Sequence, residues 1–171
     1  VGNRHTPGGR DGDRYVGNGG KIFSTSGIRA DFYTVAVRTG GEGKAGISLL
    51  LIEKGTPGFT QTELKKMGWW ASDTAALYFD NCRVPATNLI GVENQGFSGI
   101  MINFNMERLG IAATSVGLAM VCMDEAVAWA RERKTFGKRL LDHQVIRHKI
   151  ADMAKRILAT RAFLEQTTWQ M

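Results

Sequence analysis

One carboxylate in the second half of the chain has the surroundings of a general base rather than of an ion pair. Glu107 falls in a helical pattern, and the residues three and four positions away are Asn103, Phe104, Gly110 and Ile111. None of them is basic, so no ion pair along the helix accounts for the carboxylate. Such a group could accept a proton from a bound substrate. The alternative is a structural glutamate whose partner lies far away in the sequence.

Metal and thiol chemistry find little support in the sequence. The three histidines, His5, His143 and His148, do not form a cluster with the spacing of metal ligands. The two cysteines, Cys82 and Cys122, form no CxxC pair. We therefore expect no metal centre, and we expect both thiols to be reduced, as in an intracellular protein.

The charge of the chain is positive but evenly spread. The 171 residues carry a formal net charge of +6, and residues 1–90 and 91–171 each hold 11 lysines and arginines against 8 acidic residues. The lack of a basic tail or block argues against a nucleic-acid-binding arm. A diffuse positive field favours anionic ligands such as phosphates. No run of about 18 apolar residues occurs, so no membrane span is expected.

Residues before Gly91 have the pattern of short strands. Runs rich in β-branched, aromatic and apolar residues are separated by glycine-rich breaks. Residues 17–20 (GNGG) have the composition of a hairpin turn, and residues 47–53 are nearly all apolar, as expected for a strand buried on both faces. About six such strands predict a small antiparallel β-barrel or sandwich.

The second half of the chain has helical periodicity. A long helix is predicted from about Gln95 to about Arg133, and its apolar middle predicts burial on several sides. Gly137 interrupts the pattern, and Asp142 is expected to cap a second helix. The apolar stripe of that helix consists of Ile146, Ile150, Met153, Ile157 and Leu164. Two long antiparallel helices cannot close a bundle. The predicted fold class is therefore α+β, with an antiparallel barrel or sandwich followed by an incomplete helical bundle.

Four segments carry distinctive sequence patterns. Residues 21–27 have the sequence KIFSTSG, residues 46–59 run from GIS to GF, residues 67–91 contain MG, SDT, VP and NLIG, and residues 133–144 contain RKTFGK and HQ. Together these segments resemble the FAD-dependent acyl-CoA dehydrogenase family, whose flavin strand has the pattern Lys-x-Trp-Ile-Thr-Asn-Gly. The RKTFGK segment is the most specific of the four.

The resemblance covers nearly the whole chain and implies two incomplete domains. Residues 1–91 correspond to the middle β domain without its N-terminal part, and residues 92–171 correspond to the first two helices of the C-terminal helical domain. The long-chain and isovaleryl branches are the most similar. The family resemblance also implies a homotetramer, located in the cytoplasm of a bacterium, which we favour, or in the mitochondrial matrix of a eukaryote.

The implied activity is oxidation of an acyl-CoA thioester to a trans-2-enoyl-CoA. A base removes the Cα proton while hydride leaves Cβ for FAD, and electron-transferring flavoprotein then accepts the electrons. Because a thioester α-proton is weakly acidic, the base needs a water-poor site. In the long-chain and isovaleryl branches the base belongs to a Glu-Arg pair like Glu107-Arg108. In most of the family it lies later, beyond the residue that matches Met171.

The resemblance also assigns residues to the cofactor. Thr25 would bond the flavin N5 region through its hydroxyl, and Phe23 and Ser24 would approach the ring. Arg133 and Thr135 would bind the FAD pyrophosphate of a neighbouring subunit. The remaining cofactor contacts would come from Phe136, His143 and Gln144. As alternatives, Arg133 could stabilise the end of the preceding helix, and His143 could simply face solvent.

Substrate contacts are expected at the start of the long helix. Arg108 could reach a phosphate or polar group of CoA, or it could lie in a subunit contact. Phe104 would line the pocket wall or pack in the core. Two residues depart from the family pattern. Asn105, another expected contact, stands where Asp is frequent, and Phe23 stands where Trp is usual, which removes an indole N–H.

Two other functions are compatible with the same fold. An acyl-CoA oxidase or flavin monooxygenase relative would use oxygen as its acceptor, and a non-catalytic paralogue would serve as a binding or assembly module. A dehydrogenase would turn over with an artificial dye as acceptor, whereas the oxidase or monooxygenase relative would turn over with oxygen. A full-length protein that cannot take up FAD would favour the module.

Overall fold

Two antiparallel sheets make up the first part of the chain in the computed structural model, which describes residues 7–171. The first sheet has the order β1-β2-β6-β5, and its strands are Gly8–Asp11, Arg14–Thr25, Thr74–Pro85 and Phe59–Glu63. The second has the order β3-β4-β7, and its strands are Phe32–Arg38, Ile47–Glu53 and Leu89–Ile90. Within residues 7–171 neither sheet closes on itself, so the sandwich is confirmed and the barrel is not.

The inner faces of the two sheets share one apolar core. Leu50 and Ile52 of β4 are buried and alternate with less buried residues, so the prediction that this strand is buried on both faces is wrong, and one face points inward. Phe59 stacks on Phe79 with ring centroids 5.0 Å apart and meets Tyr33 edge to face at 4.8 Å. These rings connect strands of both sheets, which makes the β unit a packed sandwich.

The hairpin turn predicted at residues 17–20 is wrong. Strand β2 runs continuously through them and pairs with β6, with a register shift between Gly17 and Gly19. The hairpin lies earlier, between β1 and β2, where Gly12 has a φ of 63°. Glycine marks a bulge in a long strand as readily as a turn, so composition alone could not separate the two structures.

Both predicted helices are confirmed. Helix α1 spans Gly96–Glu132 and helix α2 spans Gln144–Trp169. The short hairpin between them pairs β8 (Lys134–Thr135) with β9 (Lys138–Arg139) and is followed by the 3-10 helix Leu140–Asp142.

The helix cap predicted at Asp142 is wrong. His143 holds the N-cap position of α2. The Asp142 carboxylate instead accepts hydrogen bonds from Nε and Nη2 of Arg139, at 3.1 and 3.0 Å. The Arg139 side chain is the main cause of the lowered pKa of Asp142. A neighbouring cation therefore competes for a carboxylate that would otherwise suit a helix N-terminus.

Helix α1 is apolar on several sides, and many of its large apolar side chains are exposed within residues 7–171. Its side chains that are 57–71% exposed include Ile102, Met106, Ile111, Leu118 and Val121. By length and composition α1 is long and apolar enough to cross a membrane, with a mean hydropathy of 1.5 in its most apolar window. A helix of this kind is either a bundle core or a membrane span. Residues 7–171 do not supply the burial predicted for it.

Candidate cofactor and substrate site

The end of β2 presents an aromatic ring and a hydroxyl at the surface. The register against β6 shifts between Lys21 and Ser24, so the strand holds one extra residue there. Phe23 has a φ of 63° and its side chain is 73% exposed. Thr25 is exposed as well, and its hydroxyl has no hydrogen-bond partner in the described part of the chain. Both side chains are therefore available to a flat ring with hydrogen-bonding atoms, and Ser24 lies half-buried between them.

The turn that follows Thr25 is held by Asp73, which was not predicted as a site residue. The Asp73 Oδ2 accepts the Ile28 N–H at 2.7 Å, and Oδ1 lies 3.1 Å from Nε of Arg29. The main-chain oxygen of Asp73 accepts the Ser26 N–H at 3.0 Å. The hydrogen bond from Ile28 is the largest cause of the lowered pKa of Asp73. The carboxylate is ionised at neutral pH and holds the turn as an anion.

The same turn is packed closely from its other side. A Cβ on Gly27 would lie 2.6 Å from Cβ of Ala75 and 2.9 Å from the main-chain oxygen of Ser24, so only glycine fits there. The buried Tyr33 hydroxyl lies 3.0 Å from the Gly27 oxygen and 2.9 Å from the Ala30 oxygen, and its single O–H is shared between these two acceptors. The backbone immediately after Thr25 is therefore fixed by several side chains.

The predicted base and substrate residues lie on the early turns of α1. The Asn103 amide donates a hydrogen bond to Oε1 of Glu107 at 2.6 Å, and Arg108 Nη1 donates to Oδ1 of Asn105 at 3.3 Å. Glu107 and Arg108 are exposed and Phe104 is half-buried. Within residues 7–171 neither Glu107 nor Arg108 forms an ion pair. The carboxylate is positioned by one amide and retains free lone pairs for a proton.

The hairpin between the helices brings three predicted cofactor residues together. Phe136 and Gly137 have φ values of 50° and 80°, as in a two-residue primed turn. The turn leaves Phe136 97% exposed. Oγ1 of Thr135 lies 3.2 Å from Nε2 of His143, and the rings of Phe136 and His143 meet edge to face at 6.5 Å. His143 is therefore held against the hairpin instead of facing solvent freely.

The charges of this hairpin suit a ligand that carries phosphate. Arg133 and Lys134 are exposed and have no carboxylate partner within residues 7–171, whereas Arg139 is paired with Asp142 and the exposed Lys138 also helps to lower the pKa of that carboxyl. Gln144 lies exposed at the first position of α2, next to His143. Guanidinium, ammonium, hydroxyl and amide donors on one short segment match the acceptor oxygens of a diphosphate.

Thiol and metal chemistry remain without visible support in the described residues. In residues 7–171, no group of three or more His, Cys, Asp or Glu side chains could hold a metal ion, and His5 lies outside that range. Cys82 is buried, and burial raises the pKa of its thiol, while Cys122 is exposed. A buried thiol of raised pKa is a poor nucleophile.

Two family models match consecutive parts of the sequence. The acyl-CoA dehydrogenase middle domain matches residues 3–82, and the acyl-CoA dehydrogenase C-terminal domain matches residues 94–171. The chain belongs to the acyl-CoA dehydrogenase family. Helix α1 lies inside the C-terminal match, and a core helix in a helical domain passes the same test of length and apolarity as a membrane span. For an acyl-CoA dehydrogenase domain we therefore keep the prediction that α1 packs against other helices.

Individual acyl-CoA dehydrogenases match over almost the whole chain. A cyclohexane-1-carbonyl-CoA dehydrogenase of Geobacter metallireducens is 43% identical over 96% of this chain and 43% of its own length. The crystal structure of acyl-CoA dehydrogenase from Geobacillus kaustophilus has a TM-score of 0.94 and 39% identity, over 99% of this chain and 46% of that one. The chain thus spans less than half the length of these relatives.

A third match comes from an electron-transfer system. A chain in a structure described as the electron transferring flavoprotein of Acidaminococcus fermentans has a TM-score of 0.90 and 38% identity. The match covers 96% of this chain and 44% of that chain.

Proposed function

We propose that this protein is an FAD-dependent acyl-CoA dehydrogenase that oxidises acyl-CoA thioesters to trans-2-enoyl-CoA esters. The observation that carries the proposal is the match of both consecutive family domains. Support comes from the exposed ring and hydroxyl at the end of β2, and from the cationic hairpin between α1 and α2. These two segments are the ones that the family uses for its flavin.

Glu107 is proposed as the base that takes the Cα proton of the substrate. Its Oε1 is held by Asn103 at 2.6 Å, and Gly110 and the exposed Ile111 lie one turn further along α1. The proton passes from Cα to the carboxylate, and the electron pair of the broken C–H bond forms the double bond to Cβ. FAD, when bound, supplies the acceptor for the hydride that leaves Cβ.

The substrate's CoA end is proposed to meet the neighbouring residues of α1. Arg108 is exposed, and within residues 7–171 its guanidinium forms one hydrogen bond, to Asn105 at 3.3 Å. A guanidinium with most of its donors free suits a phosphate or another polar group of CoA. Phe104 is proposed to line the pocket wall.

The residues proposed to hold FAD fall into two groups. At the end of β2, the Phe23 ring and the Thr25 hydroxyl would contact the flavin ring, with Ser24 contributing backbone. On the hairpin, Arg133 and Thr135 would bind the diphosphate, in line with the uncompensated positive charge there. The hairpin contacts would be completed by Phe136, His143 and Gln144.

Electron-transferring flavoprotein is the proposed acceptor of the electrons. The similarity to a chain in a structure of the electron transferring flavoprotein of Acidaminococcus fermentans supports this partner. The proposed location is the cytoplasm in a bacterium or the mitochondrial matrix in a eukaryote, because bacterial relatives and relatives named as mitochondrial both match.

Turnover by the full-length protein tests the proposed function. We expect acyl-CoA esters to bleach the flavin absorbance and to reduce an artificial dye, with little consumption of oxygen. The panel should include the cyclohexane-1-carbonyl, isobutyryl, isovaleryl and long-chain esters named in its relatives. The matched control is the 2-enoyl-CoA of each ester, which has already lost the two hydrogens and cannot reduce the flavin.

Two results would contradict the proposal. Oxygen consumption that matches substrate oxidation, with formation of hydrogen peroxide, would make the protein an acyl-CoA oxidase. A correctly folded full-length protein that stays colourless when FAD is added would indicate a binding or assembly module.

We also propose that the full-length protein is a homotetramer, with Arg133 directed to the flavin of a neighbouring subunit. Apolar side chains that residues 7–171 leave exposed on both helices, such as Leu118 on α1 and Phe163 on α2, support this assembly. Sedimentation equilibrium of the FAD-loaded protein is expected to give the mass of four subunits. A stable FAD-loaded monomer at micromolar concentration would show that these surfaces are covered within one subunit.

A further inference from the structure

We propose that Asp73 is a positioning residue for Thr25, which it holds in the orientation that presents the Thr25 hydroxyl to the flavin. The inference rests on the proposed function, because it takes Thr25 as a flavin contact. It concerns a side chain 48 positions further along the chain, which has no place in the sequence motif around Thr25.

Asp73 lies directly beside the end of the flavin strand. Thr25 is the last residue of β2 and pairs with Thr74, the first residue of β6. Asp73 therefore precedes the strand partner of Thr25 by one residue. Its main-chain oxygen accepts the N–H of Ser26 at 3.0 Å, which continues the pairing one step beyond the strands.

The Asp73 side chain binds two further residues of the turn, Ile28 and Arg29. It is 83% removed from solvent, since only 17% of its surface is exposed, and it accepts the Ile28 N–H at 2.7 Å. The Arg29 guanidinium lies on its other oxygen at 3.1 Å. A carboxylate bonded to a backbone amide and a cation is a stronger anchor than a neutral acceptor.

Removal of the Asp73 carboxylate is expected to loosen the backbone next to Thr25 more than the rest of the sandwich. The Ile28 amide would lose its acceptor, and the segment from Ser26 to Arg29 would keep its main-chain bonds, the Tyr33 hydroxyl at the Gly27 oxygen and the Lys54 ammonium at the Ile28 oxygen. Thr25 has no side-chain partner of its own within the described residues. The direction of its hydroxyl is therefore set by the backbone that Asp73 fixes.

A double-mutant cycle in the full-length, FAD-loaded protein tests this coupling. Thr25→Val and Asp73→Ala are each expected to shift the oxidised flavin absorbance band in the same direction. In the Thr25→Val background, Asp73→Ala is expected to add almost nothing, because residues that act through one another are non-additive. Asp80→Ala is the matched control, since Asp80 is an exposed carboxylate on the same strand β6.

Hydrogen exchange of the apoprotein gives a readout that does not depend on FAD. In Asp73→Ala, the peptide covering residues 24–30 is expected to exchange about tenfold faster or more, since a hydrogen bond to a charged acceptor is lost. Asp73→Asn keeps an acceptor for the Ile28 amide and should restore most of the protection and of the band position. If Asp73→Ala does not fold, Tyr33→Phe, which loosens the same turn at Gly27, carries the test, and Asp73→Asn serves as the conservative control that is expected to behave like the native protein.

The outcomes separate this inference from the proposed function. If Thr25→Val moves the flavin band and the Asp73 and Tyr33 variants lower only the melting temperature, Asp73 is merely structural and the inference is wrong, while the flavin contact stands. Additive band shifts would also overturn it. If Thr25→Val leaves the band and FAD affinity unchanged, the flavin contact of the proposed function fails, and the positioning role of Asp73 fails with it.

Discussion

Glu107→Gln is expected to slow the first reduction of the flavin by acyl-CoA by about 10²–10⁴-fold or more. Glutamine keeps the size of the side chain and its Oε1 can still accept the hydrogen bond from Asn103, which lies 2.6 Å from the native oxygen. It cannot accept the Cα proton. Because no ion pair is broken within residues 7–171, FAD content and binding of a CoA ester should change little. Rapid mixing of substrate with the loaded enzyme measures the rate directly.

A second glutamate on the same helix provides the control for this experiment. Glu125 is exposed on α1, so Glu125→Gln should bleach the flavin at the native rate. The rival base is a carboxylate beyond the residue matching Met171, as in most of the family. In that case Glu107→Gln would leave the rate within about tenfold, roughly 1.4 kcal/mol in the barrier. That result would remove Glu107 from the chemistry and leave the family assignment unchanged.

Arg133→Met is expected to weaken the retention of FAD by about 10–100-fold. Methionine keeps the apolar stem but lacks the guanidinium, and one hydrogen bond to a charged group contributes about 1.5–3 kcal/mol. Arg133 has no carboxylate partner in the described residues, so its removal should leave no unpaired anion behind. The rate of FAD release, followed by the recovery of flavin fluorescence, measures the change. The difference from the native protein should shrink at high salt, which screens charge interactions.

Arg131 separates the proposed role of Arg133 from a purely helical one. Arg131 is the basic residue in the last turn of α1 and is exposed. If Arg133 only stabilises the end of this helix, Arg131→Met and Arg133→Met should lower the melting temperature alike and leave FAD release unchanged. A selective effect of Arg133→Met on FAD release supports a cofactor contact.

Local patterns predicted much of this fold. The two helices follow from apolar periodicity, which acts through residues three and four positions apart. The exposed carboxylate of Glu107 without a local cation could also be anticipated, because the neighbours on a helix are known once the helix is known. The hydrogen bond from Asn103 could not, since several rotamers of both side chains are compatible with that spacing.

Two of the predictions that were wrong concern residues for which two structural partners compete. Residues 17–20 suit a turn, but pairing with β6 continues across them, and the extra residue at the register shift between Gly17 and Gly19 lies in β6, opposite the glycines. Asp142 suits a helix cap, but Arg139 is close enough to take its carboxylate. In each case the local preference is only about 1 kcal/mol, so a competing partner of similar strength can decide the outcome.

By itself, the sequence determined the alternation of strands and helices, the family of the chain, and the residue types available for proton transfer and phosphate binding. Only the tertiary structure decided how the turn after Thr25 is held. Asp73 and Ile28 are 45 positions apart and meet because β2 and β6 pair as neighbours. Such a contact has no periodic signal, since it depends on which strands lie side by side. Substitution of Asp73 therefore probes the proposed flavin contact of Thr25 without changing Thr25 itself.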